Sequence, residues 1–172
     1  MIKSSKQAIG AFAGFLLGAM AFAHTAQAQN VDAVTADELE TILNAADLSV
    51  SMTEDAASGA PVANAQLGGI SFWVRALDCS GTPSACGTLM FFANFELGRS
   101  ATSTDYKIVN SFNDSQVFGR AYILEDVSQV GVDYVVELDG GVSAEHLSQN
   151  VSRWADVIAA FIEKFSSGSA GA

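Results

Sequence analysis

From residue 35 onward the chain alternates between two hydrophobic rhythms. In TADELETILNAAD, Leu39, Ile42, Leu43 and Ala46 recur at i, i+3, i+4 and i+7, the period of a helix with one apolar stripe. Thr35 and Glu38 precede it at the spacing of a capping box, in which side chains satisfy two otherwise orphan backbone donors. A strand is expected around Leu48–Thr53. EDAASGAP reads as a turn, and a second strand as lying near Val62–Gln66.

The most informative stretch is GISFWVRALDC, then a short loop, then CGTLMFFANFEL. Both runs are rich in strand-forming residues. Set antiparallel with Cys79 opposite Cys86, they pair Ala76 with Leu89, Val74 with Phe91 and Phe72 with Ala93 on one side. Leu77 then faces Thr88, Arg75 faces Met90 and Trp73 faces Phe92 on the other. Both sides are apolar. A sheet with one wet face alternates apolar and polar residues, whereas one covered twice does not. The Trp73, Leu77, Met90, Phe92 side is therefore a candidate interaction face. Helices of the same chain, a partner chain or a ligand would each serve as its cover.

STDYKIVNSFNDS returns to the helical period, with Thr102 or Ser103 as cap and Tyr106, Val109 and Phe112 on one face beside Ile108. QVFGRAYILED and GVDYVVELD read as a second strand pair. A turn centred between Ser128 and Gln129 would set Arg120 opposite Glu137 and Tyr122 opposite Val135. Gly119 within that run suggests a bulge or a close packing neighbour. A last, long helix is capped by Ser143 and carries Leu147, Val151, Trp154, Ile158, Phe161 and Phe165 as one stripe. The order read is α-βββ-α-ββ-α: an α+β fold, an antiparallel sheet with helices packed on it.

The N-terminus follows a different pattern. Lys3 and Lys6 precede an uncharged apolar run from Ala8 to Ala23, and Ala26-Gln27-Ala28 supplies small residues. This is the layout of a secretory signal peptide over residues 1–28, with cleavage after Ala28. The run is short for a membrane span, and no cysteine follows it to carry a lipid, so no stable membrane anchor is expected after cleavage. A periplasmic or secreted location follows. One domain is expected over residues 29–165, then a disordered Ser/Gly/Ala-rich tail over 166–172.

Export changes the reading of the cysteines. Disulfides persist in oxidising compartments. Two cysteines fall short of the four ligands of a structural zinc site, and their spacing is not C-x-x-C. Directly opposed strand residues have the Cα separation a disulfide accepts. A Cys79–Cys86 bridge would pin the register, since a slip of one residue turns every side chain to the other face. Charge narrows the partners. Lys3 and Lys6 leave with the leader, so 6 of 8 basic residues remain against 19 acidic ones, a net charge of −13. Such a chain repels nucleic acid and anionic lipid, which need clustered Lys and Arg.

The cysteine hairpin, then VNSFNDSQVFGRAYI, then DGGVSAEHLSQNVSRWADVIAAF, together resemble the YbjN family, sometimes labelled bacterial sensory transduction regulators. The matching positions are Asn110, Phe112, Asn113, Phe118, Gly119, Arg120, Ala121 and Tyr122, with Gly140 to Ser143 at the last helix start. The likeness spans roughly Thr35 to Phe165. It departs at EDVSQVGVD, where the family often has an acidic Asp-Gly turn. The resemblance implies a fold similar to type III secretion chaperones, which are acidic, often dimeric and hold partner segments. It brings no catalytic residues.

Chemical candidates are few. His146 is the one histidine left after cleavage, and no nucleophile elbow accompanies it. Asp139 to Ser143 reads as a turn and cap rather than an anion loop. Glu125, Asp126 and Asp133 lack the spacing of a calcium loop. Asn110 and Asn113 read as local caps. No catalytic, cofactor or metal residue is assigned. The expectation is a non-enzymatic binding or regulatory protein that takes a protein partner or a second copy of itself. Its alternatives are an envelope hydrolase using paired carboxylates and a carrier of a small apolar ligand.

Overall fold

The computed structural model describes residues 30–169; the expected signal peptide lies outside them. Helix α1 (Ala36–Ala45) is preceded by a short strand β1 (Asn30–Val31). Four strands follow: β2 (Val50–Glu54), β3 (Pro61–Leu67), β4 (Ile70–Ser80) and β5 (Ala85–Glu96). Helix α2 (Ser103–Ser115) leads to β6 (Arg120–Leu124) and β7 (Gln129–Glu137), and β8 (Val142–Ser143) opens into α3 (Ala144–Ser169). The α+β reading holds. Four strands separate α1 from α2, one at each of the four places the hydrophobic pattern marks, so the order βββ given for that stretch is one strand short.

Six strands form one antiparallel sheet in the order β2-β3-β4-β5-β7-β6, and β1 pairs with β8. The β4–β5 register is the one the cysteines demand: Trp73 faces Phe92, Val74 faces Phe91, Ala76 faces Leu89 and Cys79 faces Cys86. The disulfide is formed, with a Cα–Cα distance of 3.9 Å.

All three helices contribute to a single core on one side of this sheet. Phe72, Val74, Phe91, Ala93, Val132 and Tyr134 point into it. From the helices come Leu39 and Leu43 of α1, Phe112 of α2, and the α3 stripe. Trp154 is the centre of that stripe, tilted against Phe72 at 5.7 Å and Phe91 at 6.0 Å between ring centroids. Thr35 and Glu38 make the expected capping box, with Glu38 Oε2 accepting from the Thr35 N–H at 2.8 Å.

Three further expectations need correction. First, Arg120 faces Asp133, not Glu137, and Tyr122 faces Gly131, not Val135. The chain reverses earlier, through a 3-10 turn over Glu125–Val127 and a left-handed Ser128 at φ 51°. The slip is an even number of residues, so both strands keep their faces. Second, α2 buries Asp105, Ile108 and Phe112, and Tyr106 turns outward to Glu125. Asp105 is held inward by Arg99 and Thr102, which sets the rotation of the helix. Third, α3 runs on to Ser169, four residues into the expected tail, where the described residues end. At Gly168 a Cβ would lie 2.7 Å from Ile108 Cγ1, so any larger residue there would force the Ile108 side chain to move.

Candidate functional site

The side of the sheet away from the helices carries the residues singled out from the hairpin. Alternation along β4 and β5 places Trp73, Arg75, Leu77, Met90 and Phe92 there together. Trp73 and Phe92 stack across the strands, with centroids 5.5 Å apart and planes 22° from parallel. Arg75 lies over the Phe92 ring at 5.4 Å and pairs with Asp55 at 3.1 Å. Asp55 is held below the usual carboxylate range, chiefly by hydrogen bonds from the Ser58 backbone and hydroxyl, with Arg75 adding to them. Each of the four candidate residues is half-buried by its strand neighbours. No helix among the described residues covers them, because α1, α2 and α3 serve the opposite side.

Towards β6 the face becomes polar. Arg120 forks onto Asp133 across the strands, its Nε donating at 3.2 Å. Tyr122 donates to Asn94 Oδ1 at 2.9 Å. Its hydroxyl is pushed up to about 12, first by burial and then by the Asp133 charge. The carboxylates of Asp78 and Glu137 both reach the Thr88 hydroxyl, at 2.8 and 2.9 Å. A hydroxyl carries one proton, so it donates to one of them at a time. Both acids belong to exposed residues rather than a deep cleft, which is not the enclosed carboxylate pair a hydrolase would use.

The other residues singled out from sequence do not converge. Glu125 and Asp126 sit on the 3-10 turn, while Asp133 is committed to Arg120. Among the described residues no group of three or more His, Cys, Asp or Glu side chains is placed to hold a metal ion. His146 is exposed, and its backbone N–H donates to the Ser143 hydroxyl at 3.1 Å, the expected cap. Gly141 N–H closes the preceding turn on Leu138.

Asn113 does more than cap. Its side-chain amide accepts from the Ala121 N–H at 2.7 Å and donates to the Ala121 carbonyl at 3.1 Å. It thus occupies one backbone position on the outer edge of β6, as a further strand would. A further cluster has no signature in the sequence. Arg153 lies 4.3 Å over the Phe118 ring, and Phe118 meets Tyr134 edge-on at 6.2 Å. Tyr134 donates to the buried Asn150, which in turn donates to the His146 carbonyl. A buried Asn on the polar shoulder of a helix stripe carries no periodic signal, so this network appears only when α3 meets β7.

This protein belongs to the YbjN family, described as "Putative bacterial sensory transduction regulator", whose profile matches residues 35–167. No curated protein matches the sequence. Two solved structures are similar in fold. One is "YbjN, a putative transcription regulator from E. coli", with a TM-score of 0.55, 15% identity, and coverage of 83% of this chain and 96% of that one. The other is an uncharacterized protein from Methanothermobacter thermautotrophicus, with a TM-score of 0.52, 11% identity, and coverage of 79% and 97%.

Proposed function

We propose that this YbjN-family protein is exported, has no catalytic role, and regulates by binding another protein on the Trp73, Leu77, Met90, Phe92 face. The partner is a second copy of the chain or a different envelope protein. The observation that carries this reading is the Trp73–Phe92 stack on a sheet face that no helix among the described residues covers. Clustered apolar groups facing water mark interaction surfaces far more often than scattered ones do. Aromatic pairs at the centre of such a patch supply most of the binding energy when a partner excludes water from them.

Charge supports a protein partner over nucleic acid. Of the four arginines, Arg75, Arg99 and Arg120 are already paired with Asp55, Asp105 and Asp133. A basic stripe able to displace counterions from a phosphate backbone is what nucleic-acid binding needs, and these pairs leave little to build one.

The test is photo-crosslinking from position 73 in cells, joined to light scattering of the purified protein. A discrete crosslinked product, lost on Phe92→Asp, supports the reading. A protein that is monomeric across concentrations and yields no crosslink at position 73 overturns it. Export is checked separately by N-terminal mass spectrometry, which should find Gln29 first.

A further inference from the structure

Strand β6 is shorter than the strand it pairs with. Arg120 to Leu124 accompany only Gln129 to Asp133, whereas β7 continues to Glu137 beside β5. Among the described residues, β7 from Tyr134 onward has a strand on one side and none on the other. The direction of the free backbone groups follows from Asn113. Since the Ala121 N–H and C=O point away from β7 to the Asn113 amide, Ala121 and Val132 form a non-hydrogen-bonded pair. Arg120 and Asp133 then form a bonded pair, and alternation aims the N–H and C=O of Val135 and Glu137 into the gap beyond β6.

That gap is a hollow of about 410 Å³ between the Val117–Arg120 segment and residues Asp133 to Val135. Its rim is apolar and wet: Val117 is 88% exposed, Val135 46% and Phe118 44%. These are three of the five large hydrophobic residues exposed among the described residues, and they cluster here. Arg153 stands over Phe118, within 3.5 Å of the Tyr134 hydroxyl and 3.4 Å of Asn150 Oδ1. Among the described residues it is the one arginine with no carboxylate at ion-pair distance. Arg153 and Asp156 both line the adjoining hollow, which shares Val117 and Phe118 with the first, and they make no ion pair there. Arg153 borders the first hollow through Phe118 and the Tyr134 hydroxyl. A guanidinium parked on an aromatic face and two neutral oxygens keeps donors free for an incoming carboxylate.

We propose that this notch receives an extended acidic segment of a partner protein, added as a short strand against the free edge of β7. The occupant continues the line of β6. Main-chain hydrogen bonds to Val135 and Glu137 hold it, an acidic side chain reaches Arg153, and an apolar one covers Phe118 or Val135. Strand addition draws affinity from the backbone and specificity from alternate side chains. The edge of β6 itself does not compete at Ala121, because Asn113 already occupies it. The Arg153 guanidinium, unpaired among the described residues, selects for an acidic side chain. A short segment brings less like-charge repulsion than a whole second copy of a chain whose sequence carries −11, which favours a different protein as occupant. This site is separate from the Trp73 face, and its test does not depend on that reading.

The probe is a short synthetic peptide alternating valine and glutamate, titrated into isotope-labelled protein and followed by amide NMR and hydrogen exchange. The expected result is shifts at Gly119, Val135 and Glu137, with slowed exchange at the last two. The same peptide with lysine for glutamate binds weakly or not at all, and Arg153→Gln or Phe118→Ala weakens the glutamate peptide by about tenfold. N-methylation at one alternate set of peptide residues abolishes binding, while methylation of the other set is tolerated. Three results would overturn the proposal: no change at Val135 and Glu137, equal binding of the lysine peptide, or equal tolerance of both methylation patterns. Slow exchange at Val135 and Glu137 in the free protein that is lost on dilution would place a second copy in the notch, and would overturn the assignment to a different protein.

Discussion

Phe91 and Phe92 are neighbours in the chain and opposites in the molecule. Phe91 is 2% exposed and lies among Trp154 and Tyr134 under the helices. Phe92 projects the other way, where it is touched mainly by Trp73 and the Arg75 guanidinium. One strand thus serves a finished core and an uncovered surface at once. The same residue type is packed beneath helices on one side and, among the described residues, left without a helix over it on the other. Burial by helices, not hydrophobicity alone, separates the two environments.

The contrast is sharpest in a pair of substitutions read by chemical denaturation. Phe91→Ala should cost about 3–5 kcal/mol, the usual range for emptying an aromatic site in a packed core. Phe92→Ala should cost about 1 kcal/mol or less, losing one stacked pair on a half-open surface, and should instead abolish crosslinking at position 73. Equal destabilisation by both would mean that the two faces are equally buried, and would remove the comparison.

The disulfide bears on both faces, since it sets the register that separates them. Replacing both cysteines by serine should lower stability by about 2–3 kcal/mol on loop-closure grounds. Thermal unfolding with and without reductant checks this. Wild-type protein in reductant should match the double variant, and a variant as stable as the oxidised parent would show that β4 and β5 hold their register unaided.

A smaller effect belongs to the loop that carries the chain from β5 to α2. Asp105 is fully buried, gripped by Arg99 through two hydrogen bonds of 2.6 and 2.9 Å, and it accepts from the Thr102 N–H at 2.7 Å. The Arg99 bonds, followed by those from Thr102, hold its carboxyl well below the usual carboxylate range against the opposing effect of burial. A carboxylate depressed in the folded state stabilises it above the unfolded value, about 3.9, and that contribution fades as pH falls further. Asp105→Asn should therefore cost about 1–2 kcal/mol at neutral pH, the scale of a lost helix cap. The gap to wild type should narrow below about pH 4. A gap unchanged at low pH would show that charge on Asp105 contributes nothing.

Much of this architecture is legible from local pattern. The period of α3 places Trp154 and Phe161 in the core, and the cysteine pair sets the β4–β5 register, including the meeting of Trp73 with Phe92. Both signals are dense: one helix repeats its stripe six times, and one covalent bond admits a single alignment. The β6–β7 register is not legible in the same way. Its turn holds Val127 exposed and Ser128 left-handed, and neither residue type announces that geometry. The inward turn of Asp105 is hidden for a similar reason, since an Asp in a first helical turn is ordinarily read as a solvated cap.

By itself, then, the amino-acid order determined the α+β class, the cross-linked hairpin and which side chains share each face, because these depend on periods of two and of about four residues and on one bond between near neighbours. Only the tertiary structure decided that α1, α2 and α3 chose the same side, that β6 stops short of β7, and that Arg153 reaches Phe118 with no carboxylate among the described residues at ion-pair distance. Those outcomes rest on contacts between segments far apart in the chain, where many arrangements satisfy the same local pattern and the packing of the whole core selects among them.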